Sequence, residues 1–93
     1  MNIPSSINVC GVPHKVVLLD SLTLGDECIG EIDHGKAEIR LSDSSPVELQ
    51  MATLLHEWVH GALVAFGYNK ESQNEHLVDA LATAINLTFK IKE

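Results

Sequence analysis

The stretch TLLHEWVHGAL, residues 53–63, places two histidines four positions apart and a glutamate directly after the first. A helix advances about 100° per residue, so His56 and His60 would project within about 40° of each other. Their Cβ atoms would lie about 5–6 Å apart, which suits two bonds to one zinc ion. Glu57 would project about 100° away, where it can act as general base on a metal-activated water, as in the HExxH mechanism. The stretch therefore predicts a helix that carries a zinc-binding pair and a base.

The residues around this stretch predict a helix from Pro46 to about Phe66. Ser45 is a common N-cap residue, Pro46 suits the first helical position, and Glu48 can complete a capping box. Gly67 supplies the left-handed residue that often ends a helix. The apolar residues expected on its buried side are Leu54, Leu55, Val59 and Leu63. Ionisable side chains among them are costly without a partner, which favours a metal site over a structural histidine pair.

The first half of the chain predicts a β-sheet. Its predicted strands are INVCGV (residues 7–12), HKVVLLD (14–20), ECIGEI (27–32) and KAEIRLS (36–42). The first two meet around Cys10-Gly11, and the last two flank Asp33-His34-Gly35, a turn signal that predicts a hairpin. In the last segment apolar and charged residues alternate, which indicates one buried side and one wet side. We therefore expect an N-terminal antiparallel sheet of three to four strands.

The residues after Gly67 predict a second, C-terminal helix. Ser72 and Glu75 are spaced as the two ends of another capping box. Beyond them, apolar residues recur at intervals of four: Leu77, Leu81, Ile85 and Phe89. We expect Leu77 and Leu81 to be buried, and this orientation of the helix would present Glu75 to the metal. The predicted fold is α+β, a single domain over residues 1–93 in which the sheet precedes the HExxH helix and the C-terminal helix.

Composition limits the classes of function. The chain has 93 residues and a net charge of −7, which is unfavourable for nucleic acid because phosphate binding needs a basic surface. Its apolar runs are too short for a membrane span, and MNIPSSINVCGV lacks the pattern of a signal peptide. We expect a cytoplasmic protein in which Cys10 and Cys28 are buried free thiols. His14 and His34, in strand or turn context, are expected at the surface.

A zinc hydrolase holds its metal with three protein ligands and leaves one position open. The metzincin pattern is excluded, because Leu63 and Phe66 occupy the positions of its glycine and third histidine. The candidates for the third ligand are Glu75 and His76, at the start of the next helix. Asp79 lies four residues after Glu75 and would share its face.

HEWVH followed by NEHLVDALA resembles the gluzincins, zinc peptidases in which HExxH is joined by Asn-Glu-x-x-x-Asp on a following helix. The resemblance implies a small zincin-like core and one zinc ion per chain. It also implies that Glu75 is the third ligand and that Asp79 accepts the remaining N–H of His56. The small size, the strands before the motif helix and ExxVDxLA are similar more particularly to short ImmA/IrrE-type metallopeptidases of phages and mobile elements.

Alternatives remain open at the third ligand. Glu75 can instead complete the capping box begun by Ser72, a role that needs no metal. His76 is the other candidate, because SprT-like proteases use a third histidine at nearly this distance. Its rotation of about 100° from Glu75 would require the helix to turn.

Two further features could serve peptide hydrolysis. Tyr68 could donate to a developing oxyanion, or it could be an ordinary residue of a helix-ending loop. The strand directly before the motif helix could bind an extended substrate as an edge strand, through Glu38, Ile39 and Arg40. It could equally be an ordinary sheet strand.

These features predict a zinc-dependent endopeptidase that acts on a protein or peptide, with Glu57 as general base. The alternative is a catalytically weak or inactive zinc-bound module for protein interaction. In a third interpretation the metal only stabilises a small fold, which Glu57 disfavours because a structural site has no use for a base. The oligomeric state is left open.

Overall fold

A computed structural model describes residues 3–20 and 29–90. The strands within these ranges are β1 Ser6–Val9, β2 Val12–Leu19, β3 Gly30–Asp33 and β4 Glu38–Ser42. The helices that follow are α1 Val47–Ala65, the short α2 Asn69–Ser72 and α3 Glu75–Thr88. The predicted α+β class and the order of sheet before helices are confirmed, and α2 is an additional turn of helix between the two predicted ones.

The four strands form one mixed sheet in the order β1-β2-β4-β3. The two hairpins, β1–β2 and β3–β4, are antiparallel as predicted, but β2 and β4 are parallel, with Val16 opposite Ile39. The prediction of an antiparallel sheet is therefore wrong at the central pair. Alternation of apolar and polar residues determines which side of a strand is buried, but it does not determine the direction of the neighbouring strand.

β4 is an inner strand, since β2 and β3 pair with its two edges. The prediction that Glu38, Ile39 and Arg40 belong to a substrate-binding edge strand is therefore wrong. Ile39 is fully buried in the core, and the Arg40 guanidinium forms ion pairs with Glu31, Asp33 and Glu38. Among the strands that the structure describes, β3 is the outermost on this side of the sheet.

The β1–β2 hairpin turns through two residues in left-handed backbone conformation, Cys10 at φ 50° and Gly11 at φ 92°. Two such residues give a two-residue turn that matches the twist of the strands. The Gly11 N–H donates to the Asn8 side-chain oxygen at 2.6 Å. Cys10 is exposed at this tip, so its predicted burial is wrong, because the turn points it away from the sheet. Cys28 lies outside the described residues.

His14 is buried, although a surface position was expected. It lies in β2 opposite Ile7, two residues before Val16, which packs against the core. Its Nδ1 is 2.9 Å from the Val12 carbonyl oxygen, so the ring has a polar partner at its buried position. His34, in the β3–β4 turn, is exposed as predicted.

α1 lies between the sheet and α3. The buried residues between sheet and helix are Val9, Ile39, Leu41, Met51 and Leu54, and those between α1 and α3 are Leu55, Val59, Val78 and Ala82. Trp58 packs against both groups, and its indole N–H donates to the Asn8 carbonyl oxygen at 2.9 Å. None of the helices in the described ranges has the length and apolar content that a membrane span requires.

The buried side of α3 differs from the predicted stripe. Val78 is fully buried and Ala82 nearly so, whereas Leu81 is 40% exposed and Phe89 is also exposed. Leu77 is only partly buried. The contact with α1 therefore runs about 100° around the helix from the expected face, because small side chains permit α3 to approach α1 closely.

The two predicted capping boxes, at the starts of α1 and α3, are wrong. Pro46, not Ser45, is the N-cap of α1, and the cap has no side-chain hydrogen bond. Asn74, not Ser72, caps α3, with its side-chain oxygen accepting from the Leu77 N–H at 3.1 Å. Gly67, at φ 84°, follows the end of α1 as predicted.

Two glycines set how closely α1 approaches the sheet. A Cβ atom at Gly30, the first residue of β3, would overlap the Thr53 methyl group on α1. A Cβ atom at Gly61 would lie 2.9 Å from Ile32 Cδ1 and 3.0 Å from Val9 Cγ1. The edge strand β3 can therefore lie directly against the helix that carries HExxH.

Candidate metal centre

The two motif histidines of α1 face each other at one point. The ring centroids of His56 and His60 are 4.8 Å apart, and the two Nε2 atoms are separated by 3.1 Å. This follows from their positions four residues apart on a regular helix. Both rings are partly buried, so they are held by surrounding side chains and remain accessible from one side.

α3 brings a carboxylate to the same point. Glu75 is its first residue, and its oxygens lie 3.0 Å from His56 Nε2 and 3.3 Å from His60 Nε2. Ligands joined to one tetrahedral zinc ion by bonds of about 2.0–2.1 Å are about 3.3 Å from each other. The two nitrogens and the carboxylate are therefore spaced nearly as the ligands of one such ion.

The other nitrogen of His56 bonds to a second residue of α3. His56 Nδ1 lies 2.7 Å from an Asp79 carboxylate oxygen, which accepts the Nδ1–H. A neutral imidazole carries one N–H, so this bond leaves His56 Nε2 with a free electron pair. Metal-binding histidines are commonly oriented by such a carboxylate.

The corresponding nitrogen of His60 lies against Ser72, a residue that the sequence predicts to be a helix cap. Ser72 is buried at the end of α2, and its Oγ lies 3.1 Å from His60 Nδ1 and 3.4 Å from the His60 carbonyl oxygen. The signal that could have identified it is the need of a ligating imidazole for a partner at its second nitrogen.

The arrangement fits a cation. When each ring carries its hydrogen on Nδ1, the Nε2 electron pairs of His56 and His60 point toward each other and toward the Glu75 carboxylate. Acceptor atoms so close repel one another unless a proton or a metal ion lies between them. Two imidazole nitrogens and one carboxylate oxygen are a donor set that zinc accepts at catalytic sites.

Glu57 lies beside this point and is 8% exposed. The pKa of its carboxyl is raised to about 7, chiefly by burial; His56 lowers the pKa, and the negative charges of Glu75 and Glu31 add to the rise. The group can therefore accept or release a proton near neutral pH.

These side chains line an open cleft of about 500 Å³ between α1, α3 and the start of β3. Its lining residues are Ile29, Gly30, Leu49, Ala52, Thr53, His56, Glu57, His60, Glu75 and Asp79. The cleft is thus apolar along β3 and the first half of α1, and polar where the two helices meet.

Other predicted site residues lie elsewhere. His76 is exposed and does not line the cleft. Tyr68 is exposed and borders a separate apolar groove with Trp58 and Leu81. Glu38, Ile39 and Arg40 do not line the cleft either. The structure therefore brings Glu75 and Asp79, but neither His76 nor Tyr68, to the motif histidines.

Comparison of the chain with protein-family models, with curated proteins and with solved structures found no match.

Proposed function

We propose that the protein is a zinc-dependent peptidase in which His56, His60 and Glu75 hold the ion and Glu57 is the general base. The observation that carries the proposal is the convergence of two Nε2 atoms and a carboxylate, 3.0–3.3 Å apart, beside a buried glutamate. A purely structural site would not need a base at this place.

The residues of the cleft suit hydrolysis of an amide. A zinc ion held here would polarise a carbonyl and lower the pKa of a water to about 7. Glu57 would accept the proton of the attacking water and pass it to the leaving nitrogen, a task suited to a carboxyl group with a pKa near 7. Asp79 and Ser72 would hold the two imidazoles in orientation.

A peptide substrate is favoured by the position of the edge strand. β3 is the outer strand on this side among the described ones, and Gly30 at its start lines the cleft. An extended peptide lying along the cleft would pass between β3 and the proposed metal. We therefore propose that an extended peptide pairs with β3 by β-augmentation, and not with β4 as predicted from the sequence.

The second candidate function, a zinc-bound interaction module with little turnover, is favoured by a different observation. Among the described residues that line the cleft, none is a tyrosine, lysine, arginine or further histidine. These side chains would then leave the stabilisation of an oxyanion to the metal, whereas side-chain donors commonly contribute a factor of about 10²–10³.

Metal content and proteolysis, measured together, test the proposal. Wild type and Glu57→Gln should each bind one zinc ion, and only wild type should cleave an unfolded protein. Glu48→Gln is the matched control, because Glu48 lies on the same helix but is exposed in its first turn. One bound zinc without cleavage would favour the interaction module. Failure to take up zinc would refute both functions.

A further inference from the structure

We infer that Ser72 is the positioning residue of His60, holding its ring in the Nδ1–H form with Nε2 directed at the proposed metal. The inference rests on the proposed function and adds to it the hydrogen-bond partner of His60, the second motif histidine. Its main observable, the protonation pattern of a ring, exists in the metal-free protein as well.

The hydrogen bonds around Ser72 determine the form of the ring. A serine hydroxyl has one hydrogen and can also accept. The His60 carbonyl, 3.4 Å from Oγ, can only accept, so the hydroxyl hydrogen is directed to it. Oγ then faces His60 Nδ1, at 3.1 Å, with an electron pair. In this arrangement His60 Nδ1 carries the hydrogen and Nε2 is the free acceptor, which is the form that binds a metal through Nε2.

The surroundings make this bond hard to replace. Ser72 is 7% exposed, so water has little access to the Nδ1 side of His60. The nearby polar residue Asn74 is engaged in capping α3 through its bond from the Leu77 N–H. Removal of the Ser72 hydroxyl would leave His60 Nδ1 without the acceptor that it has in the structure.

The two histidines are thus oriented by partners of different charge. His56 is held by the carboxylate of Asp79, and His60 by a neutral hydroxyl. The cleft already contains Glu57 and Glu75, so a neutral partner orients His60 without adding a further negative charge beside the buried Glu57. Ser72 therefore suits this position better than an acidic residue.

The direct test is nitrogen NMR of the His60 ring in metal-free wild type at about pH 8, where an unperturbed imidazole is neutral. The close acceptors His56 Nε2 and Glu75 favour a hydrogen on His60 Nε2 when no metal is bound, and the bond to Ser72 opposes this. We therefore expect a larger share of the Nδ1–H form in wild type and in Ser72→Thr, which keeps the hydroxyl, than in Ser72→Ala. A wild type without a detectable Nδ1–H form would overturn the inference, and so would an unchanged share in Ser72→Ala.

Zinc affinity, measured by competition with a chelator, is the second readout. Ser72→Ala should weaken zinc binding about 10- to 100-fold, the usual effect of removing a partner of a metal-binding histidine, and Ser72→Thr should restore most of it. Ser42→Ala is the matched control, since Ser42 is also a buried serine, bonded to Ser44 Oγ at 2.8 Å and outside the cleft. It should leave zinc affinity unchanged.

The outcomes separate the two proposals. Unchanged zinc affinity in Ser72→Ala, with zinc still bound by His56 and His60, would refute the role of Ser72 and leave the peptidase proposal intact. A wild-type protein that binds no zinc would refute the peptidase, while the NMR pattern of His60 would still decide the role of Ser72. If Ser72→Ala does not fold, wild type and Ser72→Thr decide the inference through the ring pattern alone.

Discussion

At the scale of single residues, the cleft gathers groups that repel one another in the absence of a cation. Glu75 and Asp79 both lie on the side of α3 that faces His56, and each contacts one nitrogen of its ring. His76, one position further along the helix from Glu75, points to solvent. Glu75 is therefore better placed than His76 to be the third ligand of the proposed site.

Zinc affinity of three variants tests this assignment. Glu75→Ala should weaken binding strongly, because it removes one of three ligands. Asp79→Asn should weaken it about 10- to 100-fold, since the orientation of His56 is lost but no ligand is. His76→Ala should leave it nearly unchanged. Loss of zinc in His76→Ala, with retention in Glu75→Ala, would show that the ligand has been misassigned.

The pKa of Glu57 leads to a prediction for the metal-free protein. Burial raises this pKa from 4.5 to about 7, so between these values the folded state binds more protons than the unfolded state. The contribution of Glu57 to the free energy of unfolding should then fall as pH rises from about 4.5 to about 7, by about 3 kcal/mol in total. Glu57→Gln, which stays neutral, should be more stable than wild type at about pH 8 and equally stable near pH 4.5.

Denaturant unfolding at both pH values, with a chelator present, measures this difference. Comparison with wild type cancels the titration of the other groups that the two proteins share. A stability difference that is the same at both pH values would show that Glu57 is not destabilised by its surroundings.

At the scale of elements, α1 is placed by close contacts on both of its sides. Gly30 and Gly61 bring it against the sheet, and Val78 and Ala82 bring α3 against it. The position of the cleft follows from these contacts, because β3 and α3 flank the part of α1 that carries His56 and His60.

Substitutions in α3 test which of its faces is buried. Val78→Ala should lower the free energy of unfolding by about 2 kcal/mol, since it leaves a cavity between α1 and α3. Leu81→Ala should cost less than about 1 kcal/mol, although it removes more atoms, because Leu81 is 40% exposed. Thermal or denaturant unfolding of the two variants would contradict this packing if Leu81→Ala proved the more damaging.

The contact between β3 and α1 can be tested by a paired substitution. Gly30→Ala should destabilise the fold by about 1–3 kcal/mol, because the new methyl group overlaps that of Thr53. Thr53→Ser removes this methyl group but keeps the hydroxyl, which donates to the Leu49 carbonyl oxygen. In the Thr53→Ser background, Gly30→Ala should lower the free energy of unfolding by a clearly smaller amount. An equal cost in both backgrounds would mean that the two residues do not interact.

At the scale of the whole molecule, the local features could be predicted from the sequence and the long-range ones could not. Helix geometry alone predicts that His56 and His60 face each other. It also predicts that Glu75 and Asp79 share one face of their helix. The parallel pairing of β2 with β4 depends on how the two hairpins assemble. The residue pattern within a strand does not predict this assembly. The burial of Val78 in place of Leu81 likewise depends on the shape of α1, since the stripe of larger residues on α3 was the stronger sequence signal.

The proposed metal also couples to the stability of the whole domain. Its ligands come from α1 and α3, so zinc would bind the folded chain in preference to the unfolded one. Zinc at 100 times its dissociation constant should raise the free energy of unfolding by about 2.7 kcal/mol. His56→Ala should abolish this increase in thermal or denaturant unfolding, and the exposed His34→Ala should retain it. If zinc raised the free energy of unfolding equally in both variants, the stabilising ion would have to bind away from His56.

A crystal structure of the zinc-loaded protein, with anomalous diffraction at the zinc absorption edge, tests the proposed centre most directly. We expect one anomalous peak per chain, about 2.0–2.2 Å from His56 Nε2, His60 Nε2 and a Glu75 carboxylate oxygen, with Glu57 near the open position. A zinc ion bound through His76 in place of Glu75, or a peak away from His56 and His60, would contradict the proposal.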